Sequence, residues 1–224
     1  MFLGKKKNVN VDAETLPEMV DFTLLDARAI KKDLHTLVNV AVKNNYYAVC
    51  VNPVNVCEVR EYIDKTLNVN LGVVSVVGFP LGANTIKTKV YETKQILKDG
   101  ADEIDVVVNI GKIKEGDYQY IKRELLSVVK AAKHMVVKVI IETCYLTKEE
   151  IKQVSKICEK IKVDYIKTST GFGTQGATVE DVMLIKDCVK GKVGIKASGG
   201  IRTREQAEEL VRAGATRLGS SRTI

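Results

Sequence analysis

The chain has 224 residues, of which 45% are hydrophobic and 28% charged. That composition fits one soluble globular domain and excludes a disordered or fibrous protein. Lysine and arginine number 35 against 28 acidic residues, a formal charge of +7, but the basic residues are spread through every helical stretch and form no stripe for a nucleic acid. The aromatic fraction is 5%, with no tryptophan, so stacking surfaces for single strands are scarce. Apolar runs such as residues 71–80 are too short to span a bilayer. The first seven residues reach their lysines without an apolar core, unlike a signal peptide. The expected compartment is the cytoplasm.

Taken in chain order, residues 1–11 are expected to form a flexible arm. Short β-branched runs then alternate with longer runs of period 3.6. The predicted strands are 19–23, 46–51, 71–77, 103–108, 135–141, 163–168, 192–197 and 215–219. Between the third and fourth lies a helix with Ile86, Val90, Thr93 and Leu97 on one face, ended by Gly100. The next helix carries Tyr118, Ile121, Leu125, Val128 and Ala132, and the one after it Ile151, Val154, Ile157 and Ile161. Thr147 with Glu150, and Thr203 with Gln206, have the spacing of capping boxes. Gly214 closes the last predicted helix.

Eight strands alternating with helices, apolar on both faces and joined without low-complexity linkers, predict a single α/β domain over residues 1–224. The rival, an open doubly wound sheet, lacks its Gly-x-Gly-x-x-Gly signature after the first strand. A closed (β/α)8 TIM barrel is therefore expected. Its final outer helix is missing, because only the short segment 220–224 follows the eighth strand. Residues 12–18, or a partner subunit, are expected to cover that flank.

Cys50, Cys57, Cys144, Cys158 and Cys188 include no Cys-x-x-Cys pair and read as reduced thiols. His35 and His134 are the only histidines, which argues against a histidine-based metal site or a Ser-His-Asp triad. The chemistry is left to Lys, Asp, Cys, Tyr or backbone. Barrel sites form at the C-terminal ends of the strands. Polar residues placed late in strands are Asp21, Cys50 with Asn52, Asp105 with Asn109, Lys138 with Glu142, Lys167, Lys196, and Gly219 with Ser220. Strand alternation puts Asp105, Lys138, Lys167 and Lys196 inside the barrel.

Three lysines and an aspartate in one interior are costly unless paired or used. One reading is a buried network of ion pairs, Asp105 to Lys138 or Lys196, without catalysis. The other is a Schiff-base lysine. A free lysine with a pKa of ~10.4 is only about 0.04% neutral at pH 7. A neighbouring ammonium that brought it toward ~7 would supply about 4–5 kcal/mol of that change. Lys167 and Lys196, on adjacent strands, offer this arrangement, and Asp105 could then move protons directly or through a water. Ser198-Gly-Gly-Ile-Arg-Thr203 and Leu218-Gly-Ser-Ser-Arg222 follow strands seven and eight, where barrels commonly bind phosphate, and Thr168-Ser-Thr-Gly171 can add hydroxyl and N–H groups.

With these residues in place, the chain resembles the deoxyribose-phosphate aldolase family from about Asp21 to Ser221. The segments that carry the resemblance are Asp21-Phe-Thr-Leu-Leu25, Cys50-Val-Asn-Pro53, Val77-Gly-Phe-Pro-Leu-Gly82 and Gly100-Ala-Asp-Glu-Ile-Asp-Val-Val107. They continue with Lys138-Val-Ile-Ile-Glu-Thr143, Tyr165-Ile-Lys-Thr-Ser-Thr-Gly171, Gly194-Ile-Lys-Ala-Ser-Gly-Gly-Ile-Arg-Thr203 and Ala215-Thr-Arg-Leu-Gly-Ser220. The resemblance implies a class I aldolase that reversibly cleaves 2-deoxy-D-ribose 5-phosphate to D-glyceraldehyde 3-phosphate and acetaldehyde. It implies Lys167 as the Schiff-base lysine, Lys196 as the neighbour that lowers its pKa, and Asp105 as the proton-relay acid and base. Lys138, Cys50, Asp21 and Thr23 would line the site in support. Gly171, Gly199, Gly200, Gly219, Ser220 and Ser221 would hold the substrate's phosphate, with Thr170 also in the substrate site. The substrate would be a small phosphorylated sugar, with no cofactor, no metal, no nucleic acid and no membrane partner; a homo-oligomer is left open.

Two departures stand out. Many relatives carry histidine where this chain has Phe22, which alternation places toward the helices, so packing rather than chemistry should change. Relatives also usually continue into a last helix and tail, in some with a C-terminal tyrosine that assists proton transfer. Either reduced activity or another cover for the site is expected here. The alternatives are another Schiff-base phosphosugar aldolase, separable by a panel of donor aldehydes, and a non-catalytic basic barrel. The latter would bind nucleic acid with steep salt dependence and would survive loss of Lys167.

Overall fold

The computed structural model describes residues 15–224. The predicted arm over 1–11 and residues 12–14 lie outside that range. Among the described residues, β1 (Val20–Leu24), β2 (Ala48–Val51), β3 (Gly72–Val77), β4 (Glu103–Val107), β5 (Val136–Ile140), β6 (Tyr165–Lys167), β7 (Gly194–Ser198) and β8 (Arg217–Ser220) close into a barrel in sequence order. Every pair is parallel, and β8 returns to β1. Outside run α1 (Lys31–Lys43), α2 (Val56–Glu61), α3 (Ile86–Lys98), a short α4 (Ile110–Lys114), α5 (Tyr118–Ala132), α6 (Lys148–Ile161), α7 (Val179–Cys188) and α8 (Arg204–Ala213). The expected closed (β/α)8 barrel is the observed one.

Several strands begin later than the apolar pattern predicts, for one recurrent reason. Tyr46, Val163 and Ala215 each donate a backbone hydrogen bond to the carbonyl five residues earlier, on Ala41, Cys158 and Leu210. Each follows a residue with positive φ: Asn45, Lys162 or Gly214. These are helix-terminating turns whose apolar residue tucks back into the core. The tucked residue therefore reads as strand without joining the ladder. Both predicted capping boxes form, at Thr147 with Glu150 and at Thr203 with Gln206.

Side chains that alternate outward from the strands, such as Val49, Ile104, Val139 and Ile166, pack with the helices in one continuous core. Phe22 belongs to that layer, its ring centroid 5.3 Å from that of Tyr46. Inside the barrel, Ala48, Cys50, Val74 and Val76 of β2 and β3 form a small apolar cluster with Leu25. The remaining interior, from β4 round to β1, is charged.

Among the described residues no helix follows β8, and all four residues of β8 are buried. Leu16 joins the core that contains Leu218, and the Ile224 N–H donates to Tyr46 Oη at 3.1 Å. The described part of segment 12–18 thus does contribute to this flank.

The buried face of α3 is Lys89, Thr93 and Ile96, rather than the predicted Ile86, Val90, Thr93 and Leu97. The helix is turned so that Lys89 reaches Glu124 of α5, both side chains being fully enclosed. Lys89 Nζ donates to Glu124 Oε1 and to the Val107 carbonyl, each at 2.7 Å. The other carboxylate oxygen accepts from the Asn109 N–H at 2.9 Å. Such a pair tolerates loss of both partners better than loss of one. Glu124→Ala is expected to lower unfolding stability by about 3–5 kcal/mol. The double variant Lys89→Met with Glu124→Leu should lose much less, and urea denaturation measures both.

Candidate active site

The C-terminal mouth of the barrel holds a cavity of about 660 Å³, walled by the loops after β1, β6, β7 and β8. Thr23, Lys167, Thr170, Gly171, Gly199, Gly200, Gly219, Ser220 and Ser221 of the predicted set line it. The other predicted residues, Asp21, Cys50, Asp105, Lys138 and Lys196, are fully buried and lie outside its wall. Of the three interior lysines only Lys167 reaches the cavity, with 3% of its surface exposed.

Strand register brings the charged groups together. Asp105 stands beside Lys138 across β4 and β5, and Lys167 beside Lys196 across β6 and β7. Asp105 is the shared acceptor: Oδ1 takes Lys138 Nζ at 2.9 Å, and Oδ2 takes Lys167 Nζ at 2.8 Å and Lys196 Nζ at 2.7 Å. Lys196 also donates to Asp21 Oδ2. The ion-pair network and the lysine pair read from the sequence are therefore one constellation.

Two members escaped the sequence reading. Glu103 accepts Lys138 at 2.6 Å and Arg217 at 3.2 Å, and Arg217 binds Asp21 Oδ1 at 2.8 Å. The Arg217 guanidinium lies 3.5 Å over the centroid of the Tyr47 ring, whose hydroxyl donates to Glu103 at 3.0 Å. The alternation that places Asp105 inside also places Glu103 there, two residues earlier, so the signal was present.

The electrostatics follow from burial and charge count. Burial alone would raise the Asp105 carboxyl, but Lys138, Lys167 and Lys196 outweigh it and hold it well below the usual carboxylate range. Asp21 is lowered in the same way, chiefly by Lys196 and Arg217. Burial lowers the Lys167 amine; Asp105 opposes this, and Lys196 adds a further lowering. Desolvation thus leads where the sequence pointed to Lys196 as the cause. For Lys196 itself, Asp105 and Asp21 overcome burial, and its pKa is raised. Burial pushes the Cys50 thiol up to about 11, so it stays protonated and unreactive.

Across the cavity, Gly171, Gly199 and Gly200 all have positive φ. Their N–H groups have no acceptor among the described residues. Gly199 is packed so tightly that a Cβ would lie 3.1 Å from the Gly176 Cα and 3.4 Å from the Gly171 Cα. The turn is pinned by Ala177, whose N–H is shared between the Ser198 and Gly199 carbonyls at 3.0 Å. Glu142, itself at φ 52°, anchors the β6 loop by accepting from the Thr170 N–H and hydroxyl. The cavity lining thus combines one amine with N–H groups that have no acceptor among the described residues. The first suits addition to a carbonyl and the second an anion.

Fold and site together define a class: a (β/α)8 barrel with one buried lysine reaching the cavity at its mouth. Residues 11–221 match the DeoC/LacD family aldolases, and the chain belongs to that family. It is similar to the deoxyribose-phosphate aldolase of Thermococcus gammatolerans, 49% identical over 208 residues and 92% of each chain. The enzyme of that name from Clostridium perfringens is 45% identical over 215 residues, 96% of this chain and 95% of its own. Among solved structures, the tetrameric deoxyribose phosphate aldolase from Aeropyrum pernix has a TM-score of 0.85 at 33% identity, covering 93% of this chain and 87% of that one. No described helix is long and apolar enough to cross a membrane.

Proposed function

We propose that the chain is a class I aldolase that reversibly cleaves 2-deoxy-D-ribose 5-phosphate to D-glyceraldehyde 3-phosphate and acetaldehyde. The observation that carries this reading is Lys167: a buried amine with a lowered pKa, facing the cavity and 2.8 Å from the Asp105 carboxylate. The neutral amine adds to C1 of the open-chain aldehyde, and loss of water gives an iminium. The C2–C3 bond then breaks toward the iminium as the C3 hydroxyl loses its proton, releasing glyceraldehyde 3-phosphate and leaving an enamine. Protonation at C2 and hydrolysis return acetaldehyde and the free amine. Asp105 is assigned the acid–base role, directly or through a water, and burial, with the Lys196 ammonium adding to it, keeps Lys167 from holding its proton. The iminium itself accepts the electron pair, so the reaction as written uses no metal or cofactor.

The phosphate is assigned to the N–H groups of Gly171, Gly199 and Gly200, with Gly219, Ser220, Ser221 and Thr170 completing that wall. Asp21, Cys50 and Lys138 act from beneath as the packed support of the floor, and Thr23 from the cavity edge. The same reading makes the chain one catalytic barrel domain. Five unpaired cysteines support a cytoplasmic enzyme, and the Aeropyrum tetramer supports a homo-oligomer.

Incubation with deoxyribose 5-phosphate tests the reading. Equimolar glyceraldehyde 3-phosphate and acetaldehyde are expected, with far weaker cleavage of unphosphorylated deoxyribose; a folded protein that releases neither product contradicts it. Lys196→Leu removes the ammonium that repels the Lys167 proton, so the amine is protonated to higher pH. Turnover at neutral pH is expected to fall by about 10²–10⁴-fold and the pH optimum to rise. An unchanged pH profile would show that Lys196 does not tune Lys167.

A further inference from the structure

Four cations and three carboxylates share the barrel interior: Lys138, Lys167, Lys196 and Arg217 against Asp21, Glu103 and Asp105. One positive charge is therefore in excess when every group is ionised, and the cluster sums to zero when one cation releases a proton. Arg217 does not do so at any working pH. Its place fixes the rest. Nη1 takes Asp21 Oδ1 at 2.8 Å and Glu103 Oε2 at 3.2 Å, with the guanidinium 3.5 Å from the Tyr47 ring centroid and 5.2 Å from that of Tyr165. Asp21 continues to Lys196, and Glu103 to Lys138; both lysines end on Asp105, the partner of Lys167. Arg217 thus reaches Lys167 along two chains of ion pairs without touching the cavity.

We propose that Arg217 is a positioning residue that supplies the surplus cation of the barrel interior, so that Lys167 is the member that stands as a free amine. It deepens the aldolase reading by explaining which lysine is selected, and it rests on Lys167 being the Schiff-base residue. The other cations are each committed: Lys138 to Glu103 and Asp105, Lys196 to Asp21 and Asp105, whereas Lys167 has Asp105 alone. The remaining ionisable neighbours do not change the count: Glu142, buried after β5, accepts from the Thr170 N–H and hydroxyl and makes no ion pair with the cluster among the described residues. Cys50 of β2 keeps its proton, β3 presents Val74 and Val76, Tyr47 is protonated with its pKa pushed up to about 12, and Asp26 neutralises Arg28 at the cavity rim.

The test is the pH dependence of reductive ethylation of Lys167 by acetaldehyde and cyanoborohydride, read by peptide mass mapping. Arg217→Gln removes a cation and is expected to move the midpoint up by roughly one pH unit. Glu103→Gln removes an anion and is expected to move it down by a similar amount. Arg217→Lys keeps the charge and should keep the wild-type midpoint. Should Arg217→Gln fail to fold, Glu103→Gln carries the test through its opposite sign. Midpoints that stay put, or that move together in one direction, overturn the proposal, because damage to packing alone has no reason to follow charge. Cleavage of deoxyribose 5-phosphate measured in parallel reports on the substrate reading separately.

Discussion

Lys167→Leu is expected to lower turnover of deoxyribose 5-phosphate by about 10⁴-fold or more, since no covalent intermediate can then form. Neither neighbour can replace it. Lys196 and Lys138 are fully buried and outside the cavity wall, Lys196 paired with two carboxylates and Lys138 with three. Substrate binding should largely survive, because the phosphate-side loops after β6, β7 and β8 do not depend on the amine. The expected pattern is a collapse of kcat with a small change in binding. Stability should not fall: three cations then face three carboxylates, and a shorter apolar side chain replaces a desolvated amine. Steady-state assays and urea denaturation of the same preparation check both parts. Residual turnover within about tenfold of wild type would place the nucleophile elsewhere.

Asp105→Leu is the second large effect, and it differs in kind. The Lys138 and Lys196 ammonium groups and the Lys167 amine converge on this carboxylate, so its loss leaves a surplus of buried positive charge without compensation. Breaking a buried ion pair from one side typically costs about 3–5 kcal/mol, and stability is expected to fall by at least that much. Activity should also fall, through loss of the proton relay. The pH dependence of stability supplies a further check. The folded-state pKa of Asp105 lies well below its unfolded value, and so its contribution is present above about pH 4 and is lost as the pH falls through the folded value. The acid limb of the wild-type stability curve should therefore flatten in the variant. An equally stable variant with an unaltered acid limb would contradict the network described here.

The groups legible in the sequence were those that obeyed a period of two near a strand's C-terminal end. Asp105, Lys138, Lys167 and Lys196 met that condition, and register between adjacent strands brought them together. Glu103 and Arg217 stand earlier in β4 and β8, one layer below the mouth, where attention to strand ends did not reach. Arg217 also pairs with Asp21 across 196 positions of chain, and no local pattern encodes such a contact. Lys89 was missed for another reason. A helical lysine ordinarily lies in solvent, and only the approach of α5 to α3 gives it Glu124. The glycines of the loops after β6 and β7 were visible as residues, but the close approach of Gly199 to Gly171 and Gly176 belongs to the tertiary structure.

Borohydride reduction in the presence of acetaldehyde, followed by peptide mass mapping, shows which lysine forms the Schiff base. A stable ethyl adduct is expected on Lys167, with no comparable modification of Lys138 or Lys196. A folded protein that yields no adduct at Lys167, or one at Lys196 in its place, would contradict the Schiff-base role of Lys167.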